Sequence, residues 1–64
     1  MHKKLSEGLQ KAIAAAGGIP ALADGLGITP EAIYQWRVIP IRRVVQIEKL
    51  TGVKRAVLRP DFFA

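Results

Sequence analysis

The corner within "LADGLGITPEAIYQW", Leu22 to Trp36, limits the fold more than any other stretch of the chain. Two helix-forming pieces, LADGL and PEAIYQW, are separated by Gly27, Ile28 and Thr29 alone. Glycine reaches positive φ at little cost, so Gly27 can end one helix and redirect the chain. Pro30 suits the first turn of the next helix, where a missing N–H removes no bond. Thr29 offers a hydroxyl to the uncapped N–H groups, and Glu31 suits the positive helix end. Ile19, Leu22, Ala23 and Leu26 form a stripe at i, i+3, i+4, i+7. Ile33 and Trp36 face it from the second piece, and Ile28 plugs the turn. Ala23 is small where the two helices must cross closely. These spacings are those of a helix-turn-helix over about residues 19–38.

The remaining chain also reads as helix. Leu5, Leu9, Ala12, Ile13 and Ala16 recur at helical spacing and predict a first helix over Leu5–Ala16, ended by Gly17-Gly18. The second runs from about Pro20 to Gly27, with Gly25 inside it at a propensity cost of about 1 kcal/mol relative to Ala. The third spans Pro30 to about Arg37. Pro40 opens a fourth with apolar positions Ile41, Val44, Val45, Ile47 and Leu50, closed by Thr51-Gly52. "VKRAVL" fits one further short turn before Pro60. Nothing alternates with period two for long enough to favour a strand. The expectation is an all-α fold: a single domain over residues 1–64, four helices and a short C-terminal helical turn.

Charge narrows the function. The net charge is +5, and between Arg37 and Arg59 seven basic residues stand against one acid, Glu48. A field of that sign attracts polyanions, nucleic acid before anionic membrane; the plainer reading is a solubilising surface. Cysteine is absent, which excludes disulfides and thiolate metal sites and suits a reducing cytoplasm. The start loosely imitates a signal peptide, but Glu7, Gln10 and Lys11 interrupt it, and cleavage would leave only about 40 residues. The chain reads as intact and cytoplasmic, with no transmembrane run.

"IPALADGLGITPEAIYQWRVIP" resembles the helix-turn-helix of small Cro/CI-type phage repressors and of the related YdaS-like antitoxin regulators. Ala23, Gly27 four residues on, and the apolar residues at 22, 26, 28, 33 and 36 carry the likeness. It continues through "RVIPIRRVVQIEKLTGV" and "LRPDFF", so it covers most of the chain from about Ala12. The resemblance implies a sequence-specific regulator of double-stranded DNA, most often a repressor that pairs two copies on a palindromic operator.

On a third helix at 100° per residue, Ile33 and Trp36 point inward while Glu31, Tyr34, Gln35 and Val38 point outward, with Pro30 and Arg37 on the flanks. Gln35 can pair bidentately with adenine N6 and N7, Glu31 can accept from cytosine N4, and Tyr34 can reach a phosphate or a thymine methyl. Pro30 and Val38 offer only apolar contact. Each has a plainer role: Gln35 a solvated helix residue, Glu31 a helix-end charge, Tyr34 edge packing. Thr29, Arg37, Arg42 and Arg43 are the candidate phosphate contacts. Two arginines in the first turn of the fourth helix oppose its dipole, which hints at an anion there. Lys54, Arg55 and Arg59 either extend this patch or are simply solvated. Lys3 and Lys4 read as a solvated end.

Val57, Phe62 and Phe63 lie beyond the helix-turn-helix and form a candidate surface for a weak homodimer; the alternative folds the phenylalanines back under the first helix. No catalytic constellation appears. His2, the sole histidine, has no metal-binding partners, Ser6 has no base near it, and "GLGITP" lacks the glycine pattern of a dinucleotide loop. The expectation is therefore no enzyme, no metal and no cofactor. A rival class is an antitoxin-like interaction module, whose main partner is a toxin or another protein. A membrane-binding bundle is disfavoured because the outer face of the third helix lacks a bulky apolar stripe.

Overall fold

The computed structural model describes residues 4–63; the readings made of His2 and Lys3 lie outside them. The described residues form five helices and no strand: α1 Glu7–Ala16, α2 Ile19–Leu26, α3 Pro30–Tyr34, α4 Ile41–Thr51 and α5 Arg55–Leu58. This is the all-α fold expected, with α5 as the short C-terminal turn.

Local chemistry sets the ends. α1 starts two residues later than its apolar spacing predicts, because Ser6 takes the N-cap and its Oγ accepts the Leu9 N–H at 3.2 Å. α2 ends on Gly27 at φ 71°. There the Ile28 N–H donates to the Ala23 carbonyl at 3.0 Å and the Gly27 N–H to the Asp24 carbonyl at 3.1 Å. That paired closure explains how three residues suffice for the corner. Thr29 occupies the N-cap of α3 with an extended backbone, but its hydroxyl makes no capping bond, contrary to expectation. The Ala32 N–H it would have met is already taken by the Thr29 carbonyl at 3.1 Å.

α3 is also shorter than predicted, ending at Tyr34 instead of near Arg37. The Trp36 N–H reaches only to the Ile33 carbonyl, at 2.9 Å, and the chain then leaves the helix toward Pro40. Ile39 directly precedes that proline, where a helical backbone is disfavoured. Side chains past Gln35 therefore do not follow the 100° wheel. Trp36, expected in the core, is half-buried against it, and Ile39 is fully buried instead.

Leu9, Ala12, Leu22, Ala23, Leu26, Ile33, Ile39, Val44, Ile47 and Leu58 form the core. Complete burial of a side chain such as Ile39 contributes about 1.5–3 kcal/mol. α1 packs on α2, α4 and α5, and α2 packs on α4. Among the described helices only α2 lies alongside α3, so α3 keeps the rest of its surface outward. On α4, Val44 and Ile47 are buried, whereas Val45 and Leu50 remain substantially exposed despite fitting the apolar stripe.

Two glycines mark close approaches. Gly8 is buried in α1, and a Cβ there would meet the carbonyl oxygen of Leu58 and come within 2.7 Å of its carbonyl carbon. α1 and α5 thus touch backbone to backbone. At Gly25 a Cβ would come within 2.6 Å of the Leu50 side-chain end, which gives a packing reason for a glycine inside α2. The two should respond differently to alanine. Gly8→Ala must move a backbone and is expected to cost about 1–3 kcal/mol. In Gly25→Ala the mobile Leu50 end can shift, and helix propensity returns about 1 kcal/mol, leaving stability nearly unchanged. Urea denaturation followed by circular dichroism measures both; equal losses would contradict the rigid α1–α5 contact.

Candidate nucleic-acid interface

α3 presents Glu31, Tyr34 and Gln35 as exposed side chains, with Tyr34 57% accessible. Pro30 is half-buried at its start, and Thr29 is exposed one residue earlier. Gln35 is the C-cap, still in a right-handed helical conformation at φ −84°, ψ −10°, so it continues the outer face although the helix has ended. Ile33 alone among the α3 residues is buried, and it holds the short helix on α2. The arrangement joins an amide, a phenol and a carboxylate on one outward surface, all able to exchange hydrogen bonds with base edges.

Val38 is not on this surface. It lies in the linker from α3 to α4, 45% exposed, and lines grooves with Ser6 and Glu7 of the α1 start. Arg37, also in the linker and exposed, lines one of these grooves beside Lys4. The linker is tied to the N-terminal segment by the Ser6 N–H, which donates to the Arg37 carbonyl at 2.8 Å.

Arg42 and Arg43 stand in the first turn of α4, as the sequence suggested. Arg42 is exposed; Arg43 is half-buried and donates through Nη1 to Gln46 Oε1 at 3.1 Å. Among the described residues, none of Arg37, Arg42 and Arg43 is paired with a carboxylate. Their positive charge is therefore not neutralised internally, and the N-terminal amides of α4 add to the same field.

The other basic residues divide. Arg55 is neither a free member of the patch nor simply solvated. Its Nη2 lies 2.9 Å from Glu48 Oε1, its Nε donates to the same oxygen at 3.0 Å, and its backbone N–H donates to Glu48 Oε2 at 2.9 Å. Glu48 so ties α4 to the start of α5. Arg59 is likewise engaged, through Asp61 and the Ile39 carbonyl. Lys54 is exposed. The signal for these ties was present in the sequence as the lone acid of the basic block and as the Arg-Pro-Asp spacing.

Val57 and Phe62 are exposed, Phe62 at 62%. Phe63 is half-buried against the core, its ring 5.0 Å from that of Phe62 in an edge arrangement and 5.8 Å from the Arg55 guanidinium carbon. The two phenylalanines thus separate: one packs back, the other faces out. A groove between α1 and α5 is lined by Gly8, Val38, Ala56, Val57, Leu58 and Pro60 among others. Among the described residues no cluster of acids and histidines could hold a metal ion, and no helix is long and apolar enough to cross a membrane.

A family model described as bacterial toxin YdaS matches residues 9–64. A curated relative, the Gene 30 protein of Enterobacteria phage phi80, is 39% identical over 61 residues, covering 88% of this chain and 84% of its own length. Among solved structures, the Cro protein from putative prophage element Xfaso 1 of Xylella fastidiosa strain Ann-1 superposes with a TM-score of 0.81 at 36% identity, over 92% of this chain and 98% of that one. The chain shares the Cro-like helix-turn-helix fold.

The two acid ties give stability a pH dependence. The Arg55 backbone N–H, followed by the Arg55 side chain, lowers the Glu48 pKa below its usual 4.5. The Arg59 side chain lowers that of Asp61 below its usual 3.8. A lowered folded-state pKa contributes stability above the unfolded value and loses it as pH falls through the folded one. The urea midpoint is therefore expected to hold between about pH 7 and pH 5 and to fall below about pH 4. Glu48→Gln and Asp61→Asn should each flatten that fall, and an unchanged acid limb would place both ties in solvent.

Proposed function

We propose that this chain, which belongs to the family described as bacterial toxin YdaS, is a sequence-specific double-stranded DNA-binding transcriptional regulator, a Cro-like repressor that binds a palindromic operator as a dimer. The observation that carries the reading is the match to a prophage Cro protein over nearly the whole of both chains. It is supported by the outward face of α3 and by the unneutralised arginines of the linker and of the first turn of α4 that follow it. The chain binds and does not catalyse, and its place of action is the cytoplasm.

In this reading α3 enters the major groove. Gln35 reads an adenine, Glu31 and Tyr34 contact neighbouring base edges, and Pro30 adds apolar contact at the margin, whereas Val38, turned toward the start of α1, drops out of the reading surface. Thr29, Arg37, Arg42 and Arg43 hold phosphates, which fixes register without reading sequence. The whole chain acts as one DNA-binding domain with its helix-turn-helix at residues 19–38. One short helix reads only a few base pairs, too little to find a site in a genome. Two copies with recognition helices about 34 Å apart overcome this. Val57 and Phe62 supply outward apolar surface for such pairing, with Phe63 bracing Phe62 from within. The same surface and the α1–α5 groove favour a second reading, an antitoxin-like module that grips a toxin or another protein.

Selection of bound sequences from a random duplex pool, followed by titration of variants, tests the first reading. Gln35→Ala is expected to cost about 1–3 kcal/mol on the selected site and to relax one base position. Arg42→Ala should weaken all duplexes alike and flatten the log–log salt slope by about 0.9. A chain that selects no sequence and shows no salt-dependent binding would leave the protein-partner reading standing.

Sedimentation equilibrium tests the pairing. The wild type is expected to dimerise weakly, and Phe62→Ala to shift it to monomer with its fold intact, because Phe62 faces outward. Phe63→Ala should instead lower stability, since Phe63 packs on the core. A wild type that stays monomeric and binds DNA without cooperativity would overturn the dimer.

A further inference from the structure

The Arg59-Pro60-Asp61 stretch contributes nothing to the surface of α3, yet it reaches the segment that carries Arg37. Arg59 Nη1 donates to the Ile39 carbonyl at 2.7 Å, across twenty positions of sequence. Its Nε and Nη2 donate to Asp61 Oδ1 and Oδ2 at 2.9 and 2.7 Å. A planar guanidinium gripped by both carboxylate oxygens has little freedom to turn, so the remaining nitrogen is aimed at one backbone oxygen. The Arg59 side chain is only 15% exposed, which leaves little water to compete.

The same linker is held at its other side. The Ser6 N–H donates to the Arg37 carbonyl at 2.8 Å. Of the tied stretch, Ile39 is fully buried, while Arg37 and Val38 are exposed. A six-residue connection that follows the last turn of α3 is thereby fixed by both ends of the chain. Every nitrogen of Arg59 already has a partner, so this arginine is placed to hold the linker, not to grip an anion itself.

We propose that Arg59, locked by Asp61, is a positioning residue for the nucleic-acid interface, fixing the 35–40 linker so that Arg37 is held ready for a phosphate. The inference rests on the DNA-binding reading above. Lysine at position 59 keeps the charge but cannot bridge the carboxylate and the carbonyl as a planar fork does. Asparagine at position 61 keeps the exposed surface and releases the lock.

The test is a cycle of Arg59→Lys and Arg37→Ala, with Asp61→Asn as a second variant, on the selected duplex at two or more salt concentrations. Urea titrations first establish that each variant is folded under binding conditions. Arg59→Lys and Asp61→Asn are each expected to weaken binding about fivefold to tenfold in the wild-type background. They should flatten the salt slope by about 0.9, as loss of one phosphate contact does. In the Arg37→Ala background the same changes should have almost no further effect. If Arg59→Lys fails to fold, Asp61→Asn, on an exposed side chain, decides. Equal weakening in both backgrounds would overturn the proposal, since Arg59 would then act by direct contact or through general stability. Unchanged affinity in a folded variant overturns it too. A wild type that binds no duplex at any salt overturns the DNA-binding reading and this inference together, whereas a wild type that binds while the variants match it overturns the inference alone.

Discussion

The bond from the Ile28 N–H to the Ala23 carbonyl, closed over a left-handed Gly27, is the constraint from which the rest of the fold follows. Its acceptor belongs to a residue that is itself buried at the helix crossing, so the end of α2 and the approach of α3 are fixed at one point. α3 needs this. Five residues in a single turn would not hold together alone, because nucleating a helix orders several residues for one hydrogen bond. The corner supplies the order, Ile33 anchors the turn in the core, and the opposite side of α3 is left facing outward without any further device.

A second chain of contacts fixes what comes after α3. The missing side chain at Gly8 lets Leu58 lie on α1 backbone to backbone. That contact sets α5, and α5 sets Arg59, which reaches the Ile39 carbonyl. Ile39 in turn is buried in the core between α3 and α4. Both ends of the chain thus converge on the same linker, from Ser6 on one side and Arg59 on the other. A chain of this size buries little apolar surface, and a few well-placed polar ties carry a large share of its definition.

The helices were legible because their signals are local. Apolar spacing, Gly17, Gly27, Pro30 and Gly52 locate four helices and the corner without reference to anything distant. The outward placement of Glu31, Tyr34 and Gln35 followed from the same spacing. What failed did so where tertiary contacts override periodicity. The wheel carried α3 on to Arg37 and put Trp36 fully inside, but the linker's ties and the approach to Pro40 end the helix at Tyr34, and Ile39 takes the buried place. Thr29 fits the N-cap by residue type, yet the N–H it should cap was satisfied by backbone. Gly8 meets Leu58 fifty residues away and Arg59 meets the Ile39 carbonyl twenty residues away, contacts that no local pattern encodes, whereas the lone acid Glu48 and the Arg-Pro-Asp spacing were visible hints of the other ties of Arg55 and Arg59.

The charge distribution shows the same conversion of composition into placement. Seven cations against one acid between Arg37 and Arg59 read as a uniform basic block. Folding divides it. Glu48 takes Arg55 and Asp61 takes Arg59, so two arginines become internal ties. The arginines left unneutralised stand in the linker and at the first turn of α4, where the helix's own amides are also positive and no acidic residue offsets them. These cations contribute nothing to the core of the free chain. An anion bound to them would supply the missing counter-charge, and a partner that binds only the folded state stabilises that state. The proposed partner and the stability of so small a fold are then linked by one patch of charge.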